Sequence, residues 1–235
     1  MPVFAENPQP LNVEDIASSW GVRRARLASG RMTKLLSDLL EQIELHNWIQ
    51  PRISFQVHPI VARSREQFTL RGGSRIFSPM LEHYLPAATQ VAAGVCTIGD
   101  AIENQVRADF AASDRLRAVM LDEIGTLALY RLGDQLEKTI HGEAARLGIE
   151  ASGALNPGED TFPITQQETV LELAGGAAIG ISYTTTGMLR PRKTLSMILG
   201  LGKQMRKWSR GERCAVCAAR VRCPHRRSKL TGGAT

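Results

Sequence analysis

The chain has 235 residues, 43% hydrophobic and 22% charged, the composition of an ordinary globular protein rather than a disordered or fibrous one. Its longest nearly apolar run, residues 171–183, is broken by Glu172 and by glycines and falls short of the roughly 20 residues of a membrane span, and the N-terminal MPVFAENPQP lacks the basic-then-apolar form of a secretory signal. The net charge of +6 is uneven: from Lys203 onward ten Lys/Arg face the single acid Glu212, a balance of +9, while the preceding residues hold 19 basic and 22 acidic side chains and carry −3.

Residues 1–30 are polar and irregular, with Pro2, Pro8 and Pro10, and read as an arm packed on the body with a short helix near 13–20. In 32–48, Met32, Leu35, Leu36, Leu39, Leu40, Ile43 and Leu45 recur at steps of three and four. That spacing predicts one apolar stripe on a helix, stopped by Pro51. Residues 53–61 and 67–71 alternate, with β-branched and aromatic side chains, and predict two strands; the turn Arg71-Gly72-Gly73-Ser74 closes the second. A short helix over 78–84 precedes QVAAGVCTI (90–98), a buried strand. Gly99-Asp100 then turns into a helix over 101–110, with the acid as its cap.

Ser113-Asp114 caps the longest helical pattern, which is apolar at Leu116, Val119, Met120, Ile124, Leu127, Ala128, Leu132, Leu136 and Ile140 and ends at Gly148. A loop over 152–163, with two prolines and two glycines, leads to a helix over 164–173, a strand over 177–183 and a threonine-rich turn over 184–189. Residues 194–202 fit either strand or helix. Helices and strands mix without strict alternation, which predicts an α+β fold rather than a doubly wound one. The expected divisions are an arm and helix (1–50), a core (51–202) and a basic tail (203–235).

Three segments, in this order, carry a resemblance. VCTIGDAIE (95–103) is similar to a TIG-x-x-x-E strand-to-helix turn, and GALNPGEDTFP (153–163) to an S-P-G-Y-x-x-W-P loop. ISYTTTGMLRPRKTLS (181–196) is similar to an L-T-E-S-x-x-M-x-P-x-x-S-V-S segment. Together they resemble the activation domain of vitamin-B12-dependent methionine synthase, a domain also found as free-standing proteins. The resemblance implies a fold of mixed helices around a central sheet that binds S-adenosylmethionine and presses it against a cobalamin held by a neighbouring module. There an electron reduces inactive Co(II) and the adenosylmethionine methyl group traps the reduced cobalt, so the protein's part is binding and positioning.

The implied ligand's ammonium and sulfonium need a carboxylate, and its own carboxylate needs backbone N–H groups or an arginine. By resemblance, Asp134 replaces a glutamate at the ligand's positive end, and the turn Asn156-Pro157-Gly158 supplies the glycine that lets backbone approach the ligand. Three positions depart from the pattern. Ala154 takes the place of an arginine, Glu159 of an aromatic residue, and Thr185 of the glutamate in T-E-S. Without the resemblance, Asp134 reads equally as a solvated helix acid, Pro157-Gly158 as a plain turn, and Thr184–Thr186 as cross-strand pairing. His46, His58, His83 and His141 have no metal-like spacing and read as structural or surface residues. No P-loop, nucleotide-binding glycine loop or nucleophile elbow occurs.

The tail holds Cys214-Ala-Val-Cys217, then Cys223-Pro-His225. Cys214, Cys217 and Cys223 with His225 match the Cys3His set of tetrahedral zinc, and three thiolates with an outside ligand suit an iron–sulfur cluster equally. The bland reading is three free thiols in a basic tail, and Cys96 reads as a core residue. Four cysteines without a disulfide framework fit a reducing cytoplasm. Trp208 is the tail's only aromatic residue, which leaves little for base stacking and disfavours nucleic acid. The expectation is a reactivation factor for a corrinoid-dependent methyltransferase. Its partners would be a corrinoid-carrying protein and an electron donor, with cobalamin on the partner. The alternative is a non-catalytic corrinoid- or tetrapyrrole-binding module whose adenosylmethionine pocket has degenerated.

Overall fold

The computed structural model describes residues 11–19, 30–159, 162–208, 210–216 and 218–222. Its first half comprises α1 (Val13–Ser19), α2 (Gly30–Leu45), β1 (Arg52–Arg63), β2 (Gln67–Leu70), β3 (Arg75–Phe77), α3 (Leu81–Tyr84), β4 (Gln90–Thr97) and α4 (Ala101–Ala111). The second comprises α5 (Arg115–Arg146), β5 (Glu150–Ala151), α6 (Gln167–Leu173), β6 (Ser182–Tyr183), β7 (Leu189–Arg190), β8 (Thr194–Gly202) and α7 (Arg210–Val216). Six strands form one antiparallel sheet in the order β3-β2-β1-β4-β8-β5, and β6–β7 is a separate hairpin. The fold is α+β, as the mixed pattern predicts.

β4 and β8 pair along their whole length, from Gln90 opposite Leu201 to Thr97 opposite Thr194. Nearly every residue of both is buried, because packed layers cover both faces of the sheet. That double burial removes the alternation by which residues 194–202 could have been recognised as a strand. On one face Ala92, Cys96, Met197, Leu199 and Leu201 meet Ile124, Leu132 and Leu136 of α5 and Leu36, Leu39 and Ile43 of α2. On the other face Val91, Ala93, Val95 and Ile198 meet Phe68, Leu81, Phe162, Val170 and Leu171. Gly94 permits the closest approach of α5, since a Cβ there would lie 3.1 Å from Leu136 Cδ2.

The helix ends show their chemistry. α2 stops before Trp48 and before Pro51 can act. Asn47 adopts φ +50°, the Trp48 N–H reaches the Ile43 carbonyl at 3.0 Å and the Asn47 N–H reaches Glu44 at 3.2 Å. This is a Schellman stop with asparagine in the left-handed position. Gly148 (φ +68°) ends α5 the same way, with Ile149 N–H donating to Ala144 at 3.1 Å. At the start of α5 the Asp114 carboxylate accepts the Arg117 N–H at 3.2 Å, the expected cap. Asp100 at the head of α4 makes no such bond, and the expectation of a side-chain cap there is corrected.

The strand expected over 177–183 is also corrected. Gly175 (φ +67°) and Gly180 (φ +76°) take left-handed conformations around a 3-10 turn, Gly176–Ile179, and only Ser182–Tyr183 is extended. Glycine enters such conformations at no steric cost, so the run turns where its apolar content suggested a strand. Among the described residues no helix is long and apolar enough to cross a membrane.

Candidate functional site

The Asn156-Pro157-Gly158 turn is built on the outer edge of β8. Leu155 exchanges both backbone hydrogen bonds with Ile198 at 2.9 Å, and Asn156 Nδ2 donates to the Ser196 carbonyl at 2.8 Å. Gln167 of α6 reaches across to the Ser196 hydroxyl at 2.7 Å, so loop, strand and helix share one buried polar knot. Gly158 has φ +93°, which explains glycine there. Its N–H donates to the Phe162 carbonyl at 2.9 Å, and the Phe162 N–H returns to Glu159 at 2.9 Å. With Phe162 fully buried, the turn closes on itself and its glycine N–H is already spent.

Asp134 lies half-buried on α5, among Leu132, Gly133 and Leu136, which are buried. Leu132 and Leu136 belong to the core on one face of the sheet, while Leu155 and Phe162 beside the turn belong to the core on the other. The two parts of the implied site thus root in opposite faces. The segment around Ala154 and Leu155 joins them at the sheet edge, with Ala154 in the first core and Leu155 in the second. Ala154 is buried, so the position implied for an arginine is part of the packing here. Thr185 sits in the β6–β7 turn, where Thr184 Oγ1 pairs with Thr186 Oγ1 at 2.8 Å and accepts the Met188 N–H at 3.2 Å. The threonines therefore bond within one turn rather than across strands.

After β8 the chain folds back along this same edge. Met205 N–H donates to Glu150 Oε2 at 3.0 Å, and Trp208 Nε1 donates to the Ala154 carbonyl at 3.2 Å. The Trp208 ring lies over Gly153, where a Cβ would come within 2.6 Å of it, and meets Tyr84 edge-on at a centroid distance of 5.1 Å. His141 of α5 faces this return. Burial lowers its pKa below the ordinary histidine value, nearby Lys207 adds to the lowering, and a backbone hydrogen bond with Ser152 opposes it. His58 Nε2 lies 2.9 Å from the Leu173 carbonyl and His46 stacks on Trp48 at 5.4 Å, which are structural roles.

Cys96 is buried in β4 as expected, and Cys214 on α7 is half-buried and free. Cys217 and Cys223 lie outside the described residues. Among the described residues no group of three His, Cys, Asp or Glu side chains could hold a metal ion. One charged constellation escaped the sequence reading. The run Arg190-Pro191-Arg192-Lys193 lines a cavity with Glu103, Val106, Arg107 and Asp122, and the density of cations in that run was the available signal.

The architecture is similar to that of a solved structure, the MetH reactivation domain bound to AdoHcy. The TM-score is 0.63 at 13% sequence identity, with 89% of this chain and 80% of that chain covered. At that identity the likeness is one of fold. No family model matches the sequence and no curated protein matches it.

Proposed function

We propose that this chain is a reactivation factor that docks on a cobalamin-carrying protein and serves a corrinoid-dependent methyltransferase. The fold likeness over 89% of the chain to a reactivation domain bound to AdoHcy carries this reading. The three motifs support it by their order: 95–103 runs from the end of β4 into α4, 153–163 lies between β5 and the turn before α6, and 181–196 spans the β6–β7 hairpin and the start of β8. Adenosylmethionine, when bound, supplies a methyl group to reduced cobalt. The chain's own contribution is Asp134 for the ligand's positive end and the 156–158 turn as a wall.

The fit to that ligand is partial. Ala154 offers no cation to the ligand carboxylate, and the Gly158 N–H is engaged with Phe162. These observations favour a second reading, a corrinoid- or tetrapyrrole-binding module that no longer uses adenosylmethionine. Calorimetric titration with adenosylmethionine and affinity capture of corrinoid proteins from the same cell separate the two. A reactivation factor captures a corrinoid protein more tightly than free cobalamin and binds adenosylmethionine weakly. Asp134→Asn then weakens that binding by about tenfold, the low end for a hydrogen bond to a charged group. Capture without any adenosylmethionine binding selects the module. Absence of capture defeats both.

The tail thiolates extend the proposal. Cys214, Cys217 and Cys223 act as one zinc or iron–sulfur site, with a cluster serving the electron step and zinc serving only to order the segment. Serine at any one of the three is expected to abolish metal in anaerobically purified protein, while Cys96→Ser leaves it unchanged. Stoichiometric metal retained in Cys214→Ser would remove the site.

A further inference from the structure

We infer that the cavity between the β7–β8 connection, α4 and the first third of α5 is an anion site for a phosphorylated small molecule. It is lined by Glu103, Val106, Arg107, Asp122, Arg190, Arg192 and Lys193 and has a volume of about 380 Å³. That size falls in the range of small-ligand sites, roughly 300–1,000 Å³. Four cations and two carboxylates leave a surplus of two positive charges on its walls.

Among the described residues neither carboxylate pairs with a guanidinium group. Glu103 Oε2 accepts the Arg192 backbone N–H at 2.8 Å, which ties the β7–β8 connection to α4. Asp122 Oδ1 takes Lys193 Nζ at 2.8 Å. The same ammonium donates to the Asp122 carbonyl at 3.0 Å and to Thr126 Oγ1 at 2.7 Å, so its donors are spent. The Lys193 side chain is only 12% exposed, and its stem packs beside Gly125, where a Cβ would lie 3.4 Å from Cε. Its carbonyl is held by Ile98 N–H at 3.2 Å and Thr97 Oγ1 at 3.0 Å, so the floor is fixed to the end of β4.

What remains is guanidinium. Arg107 donates to the neutral Asn104 amide, and Arg190 and Arg192 have no ion-pair partner among the described residues. Three guanidinium-bearing side chains thus line one concavity with none of them in an ion pair among the described residues, and Glu103 is the one lining carboxylate not paired with a cation there. Guanidinium matches the oxygens of a phosphoryl group in a bidentate way, and a dianion cancels the surplus charge where a single carboxylate leaves half of it. The cavity exceeds one phosphate ion, so the phosphoryl group is carried on a larger body. This site does not depend on the corrinoid reading, and its test involves neither cobalamin nor adenosylmethionine.

The test is calorimetric titration of the full chain with inorganic phosphate, pyrophosphate and citrate, repeated on Arg107→Gln, Arg190→Gln and Arg75→Gln, the last on exposed β3. The expected result is saturable phosphate and pyrophosphate binding that weakens about tenfold or more in Arg107→Gln and in Arg190→Gln, and is unchanged in Arg75→Gln. Circular dichroism confirms that each variant is folded. Binding undiminished in both pocket variants would place the anion on the basic tail and overturn the site. So would an equal loss in Arg75→Gln, or no saturable binding at millimolar concentration. Citrate binding more tightly than pyrophosphate would overturn the phosphoryl assignment in favour of a carboxylate ligand.

Discussion

Replacing Trp208 by alanine is expected to destabilise the fold by about 3–5 kcal/mol, the range for truncating a buried aromatic side chain. Trp208 is 6% exposed although it lies beyond the last strand, and its ring fills the space above Gly153 and beside Tyr84. Its indole N–H is bonded to Ala154, so alanine also leaves a buried carbonyl without its donor. Urea unfolding of the two proteins measures the loss, and a difference below about 1 kcal/mol would mean that the return segment contributes little. Gly153→Val tests the same contact from the other side. A Cβ there meets the indole at 2.6 Å, so the ring must leave and its fluorescence should shift to that of a solvated tryptophan.

Gly94→Val is expected to destabilise by about 1–3 kcal/mol, the usual range for overpacking. An added Cβ lies 3.1 Å from Leu136 Cδ2 and 3.4 Å from Ile140 Cδ1, and the two further methyls of valine have no room between β4 and α5. Leu136→Ala alone opens a cavity and is expected to lose about 2–5 kcal/mol. The double variant places the valine into that cavity. Its loss should therefore be smaller than the sum of the singles, a coupling read by a double-mutant cycle. Simple additivity would show that α5 does not pack on Gly94 as described.

Long periodic segments were legible in the sequence. The stripe of α5 from Met120 to Ile140, its Asp114 cap and its Gly148 stop all follow from residue types and spacing, whereas Leu116 and Val119, expected on the same stripe, are exposed. β4 was legible as a buried run. β8 was not assignable, because TLSMILGLG is covered on both faces and loses the period that marks a strand. β3 and β5 have three and two residues, too few to carry a period.

The site was legible at the level of its turn and no further. Glycine at 158 announces an unusual backbone, but sequence does not reveal that Phe162 accepts its N–H. Nor could local sequence show that the Ala154 carbonyl is held by the Trp208 indole, since those two positions meet only when the chain doubles back after β8. The cations lining the phosphoryl cavity come from segments about 80 residues apart, a proximity that only the fold creates.

The position of β8 has a consequence for how the protein is made. The strand follows all the others of the sheet in sequence yet lies inside it, between β4 and β5. Its partner β4 leaves the ribosome roughly a hundred residues earlier, and chains are synthesised from the N-terminus at about 5–20 residues per second. For that interval β1 and β4 present an apolar ladder with an unpaired edge, the surface on which other chains add strands. A nascent or truncated chain ending before Thr194 would keep that edge permanently. Its natural fate is capture by a chaperone or aggregation, and the long-range pairing that relieves it makes folding slow compared with a helical protein of the same size.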